Sequence, residues 1–90
     1  MPTRFRVRWR KNQWGGISHF HPGGGAGPDS SPCEKVYVCL VGGVRVDVDG
    51  VEFVLNPMDS CTVAPNEMRE IINHQTHVAT TLVVMPYPPA

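Results

Sequence analysis

The sequence has no long hydrophobic run and no excess of charge of either sign. No apolar stretch approaches the roughly 20 residues that a membrane-spanning helix needs, so we expect no membrane association. The 90 residues carry eight Lys/Arg and eight Asp/Glu, a formal net charge of zero. This balance, without a recognition helix or a set of stacking aromatic residues, argues against nucleic-acid binding. With 41% apolar and 18% charged residues, the chain has the composition of a globular protein.

Cysteine is scarce as well, and its spacing excludes the common cysteine motifs. Cys33, Cys39 and Cys61 are an odd number at no metal-binding or redox spacing. The arginine-rich start has no apolar segment behind it, so we expect no secretory signal. Reduced thiols in a cytoplasmic protein are therefore the prediction.

Helical periodicity is also missing, and alternation dominates instead. Nine glycines and nine prolines make up a fifth of the chain, and both residues are costly inside helices. Phe5, Val7 and Trp9 alternate with arginines through residues 4–10, which predicts a strand with a solvated arginine face. The glycine-rich residues 23–27 precede a strand rather than a helix, which argues against a phosphate-binding loop.

Short strands separated by turns predict an all-β fold in a single domain, residues 1–90. Asp49-Gly50 is the strongest hairpin signal, and residues 23–32 are predicted to be a loop. We divide the domain into an N-terminal strand at 1–11, a barrel at 17–86 and an extended tail at 86–90, which cannot pair as an interior strand. The predicted strands are 4–10, 17–21, 35–41, 44–48, 51–55, 60–63, 69–73 and 78–85. Such a series is typical of a sandwich or barrel.

The stretch "HPGGGAGPDSSPCEKVYVCLVGGVRVDVDGVEFVLNPMDSCTVAPNEMREIIN" resembles the cupin family. The resemblance rests on the order of "PG", "EKVYVCLVGG", the Asp-Gly hairpin, "PMDS", "APN" and "IIN", and it covers roughly residues 17 to 86. It implies a small antiparallel β-barrel of the RmlC-like type, that is, a double-stranded β-helix or jelly roll. Cupins include metal-dependent dioxygenases, decarboxylases and isomerases, metal-free sugar epimerases, and non-catalytic binding proteins.

The sequence departs from the family pattern at the metal ligands. With Gly42 as the anchor, Lys35 stands where the family has its metal-binding glutamate, and Arg69 stands where it has its third histidine. The two histidines of the family's first motif fall on Pro28 and Ser30, or one residue later in each case. Charged lysine and arginine have no lone pair to offer a cation. We therefore expect no cofactor, and in particular no iron, manganese or zinc at the usual cupin site.

Alternation along the strands suggests what replaces the metal. Lys35, Tyr37 and Cys39 share one face, and Arg69 shares a face with Asn73. In the family these positions point into the barrel, and two cations in a partly apolar cavity are costly unless an anion lies between them. Arg69 is predicted to bind a carboxylate in a bidentate manner. Lys35 is predicted to stabilise an enolate or act as a base, and Tyr37 to supply a proton.

The resulting hypothesis is a metal-independent isomerase, cyclase, lyase or decarboxylase that acts on a small anionic metabolite. Lys35, Arg69 and Tyr37 are its predicted catalytic residues. The predicted substrate-binding residues are Arg69, Cys39, Asn73, His19 and His21.

Three alternatives remain open. Lys35 can lie at the barrel mouth and pair with Glu34, Glu67 or Glu70, and Arg69 can pair with Glu67 or Glu70; such surface pairs contribute little. The protein can be a non-catalytic ligand-binding or accessory module. His19 and His21, two residues apart on a strand, can instead hold a divalent transition metal.

A homodimer is also expected. A 90-residue barrel with exposed strand edges gains core by pairing. The arginine-faced first strand and the apolar Val36, Val38 and Leu40 are the candidate contact surfaces.

Overall fold

We describe the fold from a computed structural model that covers residues 3–10 and 13–86, with side chains from 15 to 85. These residues form nine β-strands and no helix. They therefore contain no helix with the length and apolar character needed to cross a membrane. The all-β prediction is confirmed.

Five strands form the larger sheet, in the spatial order β1-β2-β9-β4-β7. All of their pairings are antiparallel. β1 and β7 are the edges of this sheet, so β2, β9 and β4 are held by hydrogen bonds on both sides. The strands are β1 (Thr3–Arg10), β2 (Gln13–Phe20), β4 (Lys35–Val41), β7 (Ser60–Val63) and β9 (Ala79–Pro86).

The remaining four strands form the smaller sheet, in the order β3-β8-β5-β6. Antiparallel pairing again joins every pair of neighbours. The two sheets make up the double-stranded β-helix that the sequence predicts. The strands are β3 (Gly25–Asp29), β5 (Val44–Val48), β6 (Val51–Leu55) and β8 (Arg69–Ile72).

The predicted hairpin at Asp49-Gly50 joins β5 to β6. Asp49 has a φ of 47° and Gly50 a φ of 83°, as the two central residues of a type I′ turn require. Val48 lies opposite Val51 directly beside the turn. The turn therefore fixes the register of the whole β5–β6 ribbon.

The sequence prediction differs from the structure in two places. β3 lies inside the predicted loop 23–32, because Ala26 and Asp29 pair with β8 despite the surrounding glycines and prolines. β2 begins at Gln13 rather than at 17, and Gly15 pairs with both β1 and β9. Glycine has a low propensity for β-strands. Hydrogen bonds to β1 on one edge and to β9 on the other nevertheless hold the glycines of β2 in the strand.

Two other predictions fall partly outside the described residues. The backbone of β1 is the predicted strand, but its arginine face concerns side chains that are not described. In the tail, Pro86 is the last residue of β9 and lies opposite Gln13, while residues 87–90 are outside the described part.

The core lies between the sheets and is built from alternate residues of their strands. Val44, Val46 and Val48 are buried along β5, while Arg45 and Asp47 between them are partly exposed and form an ion pair at 3.2 Å. The other buried apolar side chains are Phe20, Tyr37, Cys39, Leu55, Val63, Ile71, Ala79 and Val83.

Candidate functional site

A cavity of about 230 Å³ lies between the sheets, near the ends at which β4 and β8 begin. Polar and apolar residues line it in equal numbers. The polar side chains are Ser18, Lys35, Tyr37, Arg69 and Thr81, and the apolar ones are Phe20, Ala26, Ile71, Val83 and Met85. Such a mixture is typical of a small-molecule site, in which a few polar groups orient a ligand against apolar walls.

β4 contributes Lys35 and Tyr37 to the cavity, since side chains two residues apart on a strand project to the same side. Tyr37 lies opposite Val83 of β9 and Cys61 of β7, so its position is fixed from both edges. Lys35 is the first residue of β4 and is half-buried. It therefore lies nearer the mouth of the cavity than the buried Tyr37.

Arg69 reaches the cavity from the opposite sheet. It is the first residue of β8 and lies opposite Val48 of β5 and Asp29 of β3. Gly27 packs closely against it. A Cβ atom at Gly27 would lie 2.7 Å from both Nη1 and the carbonyl oxygen of Arg69. Glycine is therefore required at position 27 both for this approach and for its φ of 100°.

A hydrogen bond between the two sheets holds the Arg69 side chain. Its Nε donates to the hydroxyl oxygen of Tyr37 at 2.8 Å, and its Cζ lies 5.8 Å from the centre of the Tyr37 ring. The residue is 9% exposed. Within residues 15–85, ion pairs at or below 4.0 Å are formed by Arg45 and not by Arg69. The alternative pairing of Arg69 with Glu67 or Glu70 is therefore not what the structure shows.

The Arg69 guanidinium retains an unsatisfied donor. Its Nη1 is buried and has no hydrogen-bond partner in the described part of the chain. A buried polar group without a partner is costly, and a buried charge more so. An anionic group in the cavity would compensate the charge of this guanidinium.

Four sequence-predicted binding residues do not line the cavity. Cys39 is fully buried in the core, and its Sγ lies 3.7 Å from the carbonyl oxygen of Val41. Burial and, to a smaller extent, the charge of Asp59 raise the pKa of this thiol. Cys39 is thus a packed, protonated side chain, as expected of most buried cysteines.

Asn73 is fully buried, and its side chain holds the backbone together. The side-chain amide nitrogen donates to the carbonyl oxygens of Phe20 and His77, and the amide oxygen accepts a hydrogen bond from the backbone of Gln75. These bonds leave Asn73 in a structural role, in place of the predicted contact with a ligand.

His19 and His21 are likewise away from the cavity. Ser18 and Phe20 of β2 point inward, so His19 projects from the opposite face, where its Nδ1 lies 2.9 Å from the hydroxyl of Thr80. His21 is exposed just beyond the end of β2.

Sequence reasoning missed the two hydroxyl residues of the cavity, Ser18 and Thr81. They lie directly opposite each other on β2 and β9 and are 4% and 3% exposed. A signal was present in the alternation, because Thr81 shares its inward parity with Ala79 and Val83. A hydroxyl residue in an otherwise apolar inward series predicts a polar contact in the interior.

The cavity does not fit the metal that many cupins bind. Its charged side chains are those of a lysine and an arginine, which offer no lone pair to a cation when charged. In the described ranges, no group of three or more His, Cys, Asp or Glu residues is placed to hold a metal ion.

Known proteins share the sequence and the fold to different degrees. No protein-family model matches the chain. The beta-D-galactosidase Rv1717 of Mycobacterium tuberculosis is 43% identical over 77 residues, which cover 86% of this chain and 66% of that protein. The chain thus spans just under two thirds of this relative.

Two crystal structures have a closely similar fold. TT1209 from Thermus thermophilus superposes with a TM-score of 0.89 at 24% identity, over 97% of this chain and 85% of its own. An RmlC-like cupin from Shewanella frigidimarina gives 0.84 at 19% identity, over 94% and 75% respectively.

Proposed function

We propose, from the cupin fold of the described residues, that the chain binds a small anionic metabolite in the Lys35–Arg69 cavity and transforms it without a metal. The reaction class is an isomerisation, cyclisation, elimination or decarboxylation that passes through an enolate-like intermediate. The positively charged side chains of Lys35 and Arg69 would provide the electrostatic stabilisation that a divalent metal ion provides in metal-dependent cupins.

The observation that carries the proposal is that Arg69, a buried cation without an ion-pair partner among residues 15–85, lines the cavity. Tyr37 occupies Nε, so the terminal guanidinium nitrogens are the part left for a ligand. Two parallel N–H groups match the two oxygens of a carboxylate. Lys35, from the facing sheet, adds a second positive charge to the same cavity.

Each catalytic role follows from the chemistry of the side chain. Arg69 binds the carboxylate. Lys35 either stabilises the negative charge that develops when carbon dioxide leaves the neighbouring carbon or, as a neutral amine, accepts the proton that leaves that carbon. Tyr37 accepts a hydrogen bond from Arg69 and keeps its own proton, which it can deliver to the intermediate. The same two sheets that form the fold thus supply the binding group and the proton donor.

The galactosidase relative favours a second candidate, the hydrolysis of a galactoside. Most glycoside hydrolases use a pair of carboxyl groups, one as the acid and one as the base or nucleophile. The described lining of the cavity contains no Asp or Glu. We therefore place galactoside hydrolysis second to chemistry on an anion.

Calorimetric titration with simple carboxylates tests the proposal. The wild type should bind acids such as malonate or hexanoate, and Arg69→Met should abolish binding. Arg45→Met is a matched control, because Arg45 lies outside the cavity on β5. Unchanged binding in Arg69→Met, or binding of neutral galactosides alone, would overturn the proposal.

Turnover is a separate measurement from binding. NMR spectra of candidate acids, recorded with and without protein in deuterated water, report proton exchange at the carbon next to the carboxylate. Saturable binding with no exchange or product formation would favour the alternative, a non-catalytic ligand-binding or accessory module.

We also propose that two copies associate in the cytoplasm. Val36, Val38 and Leu40 lie on the face of β4 opposite the buried Tyr37 and Cys39, and covering this face with a second copy would bury apolar surface. Sedimentation velocity should then give the mass of a dimer, and Val38→Lys should shift it to that of a monomer.

A further inference from the structure

Two buried hydroxyl groups form a second polar element of the cavity. Ser18 and Thr81 are paired across β2 and β9 and both line the cavity. Hydroxyl residues that line a cavity are suited to the hydroxyl groups of a ligand, to which each can both donate and accept.

The distance from Ser18 and Thr81 to the end of the cavity that holds Arg69 and Lys35 sets the length of a ligand that reaches both. Tyr37, which holds Arg69, lies opposite Val83 on β9, and Thr81 is two residues further along that strand. At about 3.4 Å per residue, the two levels are roughly 7 Å apart. An extended carbon chain advances about 1.25 Å per bond of about 1.5 Å, so a chain of about six carbon atoms, with its terminal oxygens, spans that distance.

We propose that the ligand is a polyhydroxy acid of monosaccharide size, with its carboxylate at Arg69 and Lys35 and its hydroxyl groups at Ser18 and Thr81. This inference rests on the proposed function, since it requires an anion at Arg69. The volume of about 230 Å³ is below the roughly 300–1,000 Å³ of pockets that hold drug-sized molecules, which fits one sugar unit. Phe20 and Ile71 give the C–H groups of such a ligand an apolar wall.

Calorimetric titration with three probes tests this inference on the intact chain. The probes are D-galacturonate, hexanoate, which has a carboxylate without hydroxyls, and D-galactose, which has hydroxyls without a carboxylate. Galacturonate should bind at least about tenfold more tightly than hexanoate, since each good hydrogen bond adds about threefold to tenfold. Galactose should bind more weakly than galacturonate.

The variants Thr81→Val and Ser18→Ala remove one hydroxyl each with little change in shape. Each should weaken galacturonate binding by about threefold to tenfold and leave hexanoate binding unchanged. Thr80→Val is the matched control, because Thr80 is the next residue on β9 and its hydroxyl contacts His19 outside the cavity. This control should leave the binding of both acids unchanged.

The possible failures are distinguishable. Equal affinity for the two acids, or equal weakening of both by Thr81→Val, overturns the polyhydroxy-acid inference while the anion site at Arg69 stands. If the wild type binds neither acid, the proposed anion site is wrong and this inference is wrong with it.

Discussion

The hydrogen bond between Tyr37 and Arg69 leads to a quantitative stability prediction for the ligand-free protein. Tyr37→Phe removes the acceptor of the Arg69 Nε proton, so a buried guanidinium that already has one unsatisfied nitrogen acquires a second. A hydrogen bond to a charged group contributes about 1.5–3 kcal/mol. For a domain of this size, a loss of about 2 kcal/mol lowers Tm by roughly 10 °C.

Removing the charge as well should reverse the loss. In the double variant Tyr37→Phe/Arg69→Met, a flexible apolar side chain replaces the guanidinium, and no buried donor remains to be satisfied. Replacing buried charged groups with apolar ones is often neutral or stabilising by about 1–4 kcal/mol. We therefore expect the double variant to recover at least about 1.5 kcal/mol over Tyr37→Phe alone.

Urea denaturation followed by circular dichroism measures both effects as free energies of unfolding. Tyr37→Phe/Arg45→Met is the control, and its two changes should add, because Arg45 lies outside the cavity. A double variant at Tyr37 and Arg69 that is less stable than Tyr37→Phe would refute the reasoning, since it would show that the guanidinium is compensated in the folded state.

Three further predictions concern the glycine at the site, the thiols and metal ions. Gly27→Ala should lower both stability and acid affinity more than Gly23→Ala, because both glycines have positive φ but only a Cβ at Gly27 meets Arg69 at 2.7 Å. Burial raises the pKa of Cys39 and Cys61, so the folded protein holds these protons after the unfolded chain has released them. The free energy of unfolding should therefore fall as pH rises above about 8.5, and Cys39→Ala should flatten that fall. Dialysis against EDTA should leave acid binding unchanged, because the site supplies its own cations.

Each of these three predictions would be contradicted by a specific result. Equal losses of stability and acid affinity in the two glycine variants would show that alanine at position 27 is harmful only through its positive φ and not through contact with Arg69. A free energy of unfolding that is independent of pH between about 8 and 10 would contradict the raised thiol pKa values. Loss of acid binding after EDTA treatment, together with a stoichiometric metal that disappears in His19→Ala, would establish the metal alternative.

Local pattern and turn chemistry were enough to predict most of the strands. Alternation determines which residues of β5 are buried, and Asp49-Gly50 determines where its hairpin turns. β3 was not predictable in this way, because residues 25–29 form a strand only through their pairing with β8. Tertiary hydrogen bonding there overrides the local preference of glycine and proline for turns.

The site was predictable only in part, for a similar reason. Parity places Lys35 and Tyr37 on one face, and the family resemblance indicates Arg69. Neither shows how the two sheets are placed so that Arg69 meets Tyr37. Neither shows that the side-chain amide of Asn73 is engaged in hydrogen bonds to the backbone. Such facts depend on long-range geometry, which a single sequence does not encode in any local pattern.

The contact between Tyr37 and Arg69 joins one layer of the sandwich to the other. A molecule held by Arg69 on one side and by Ser18 and Thr81 on the other would span the same gap, so the layers could not part without releasing it. Occupancy of the cavity should therefore slow the rate of unfolding, and protease resistance over time becomes a reporter of the natural ligand in a crude metabolite extract.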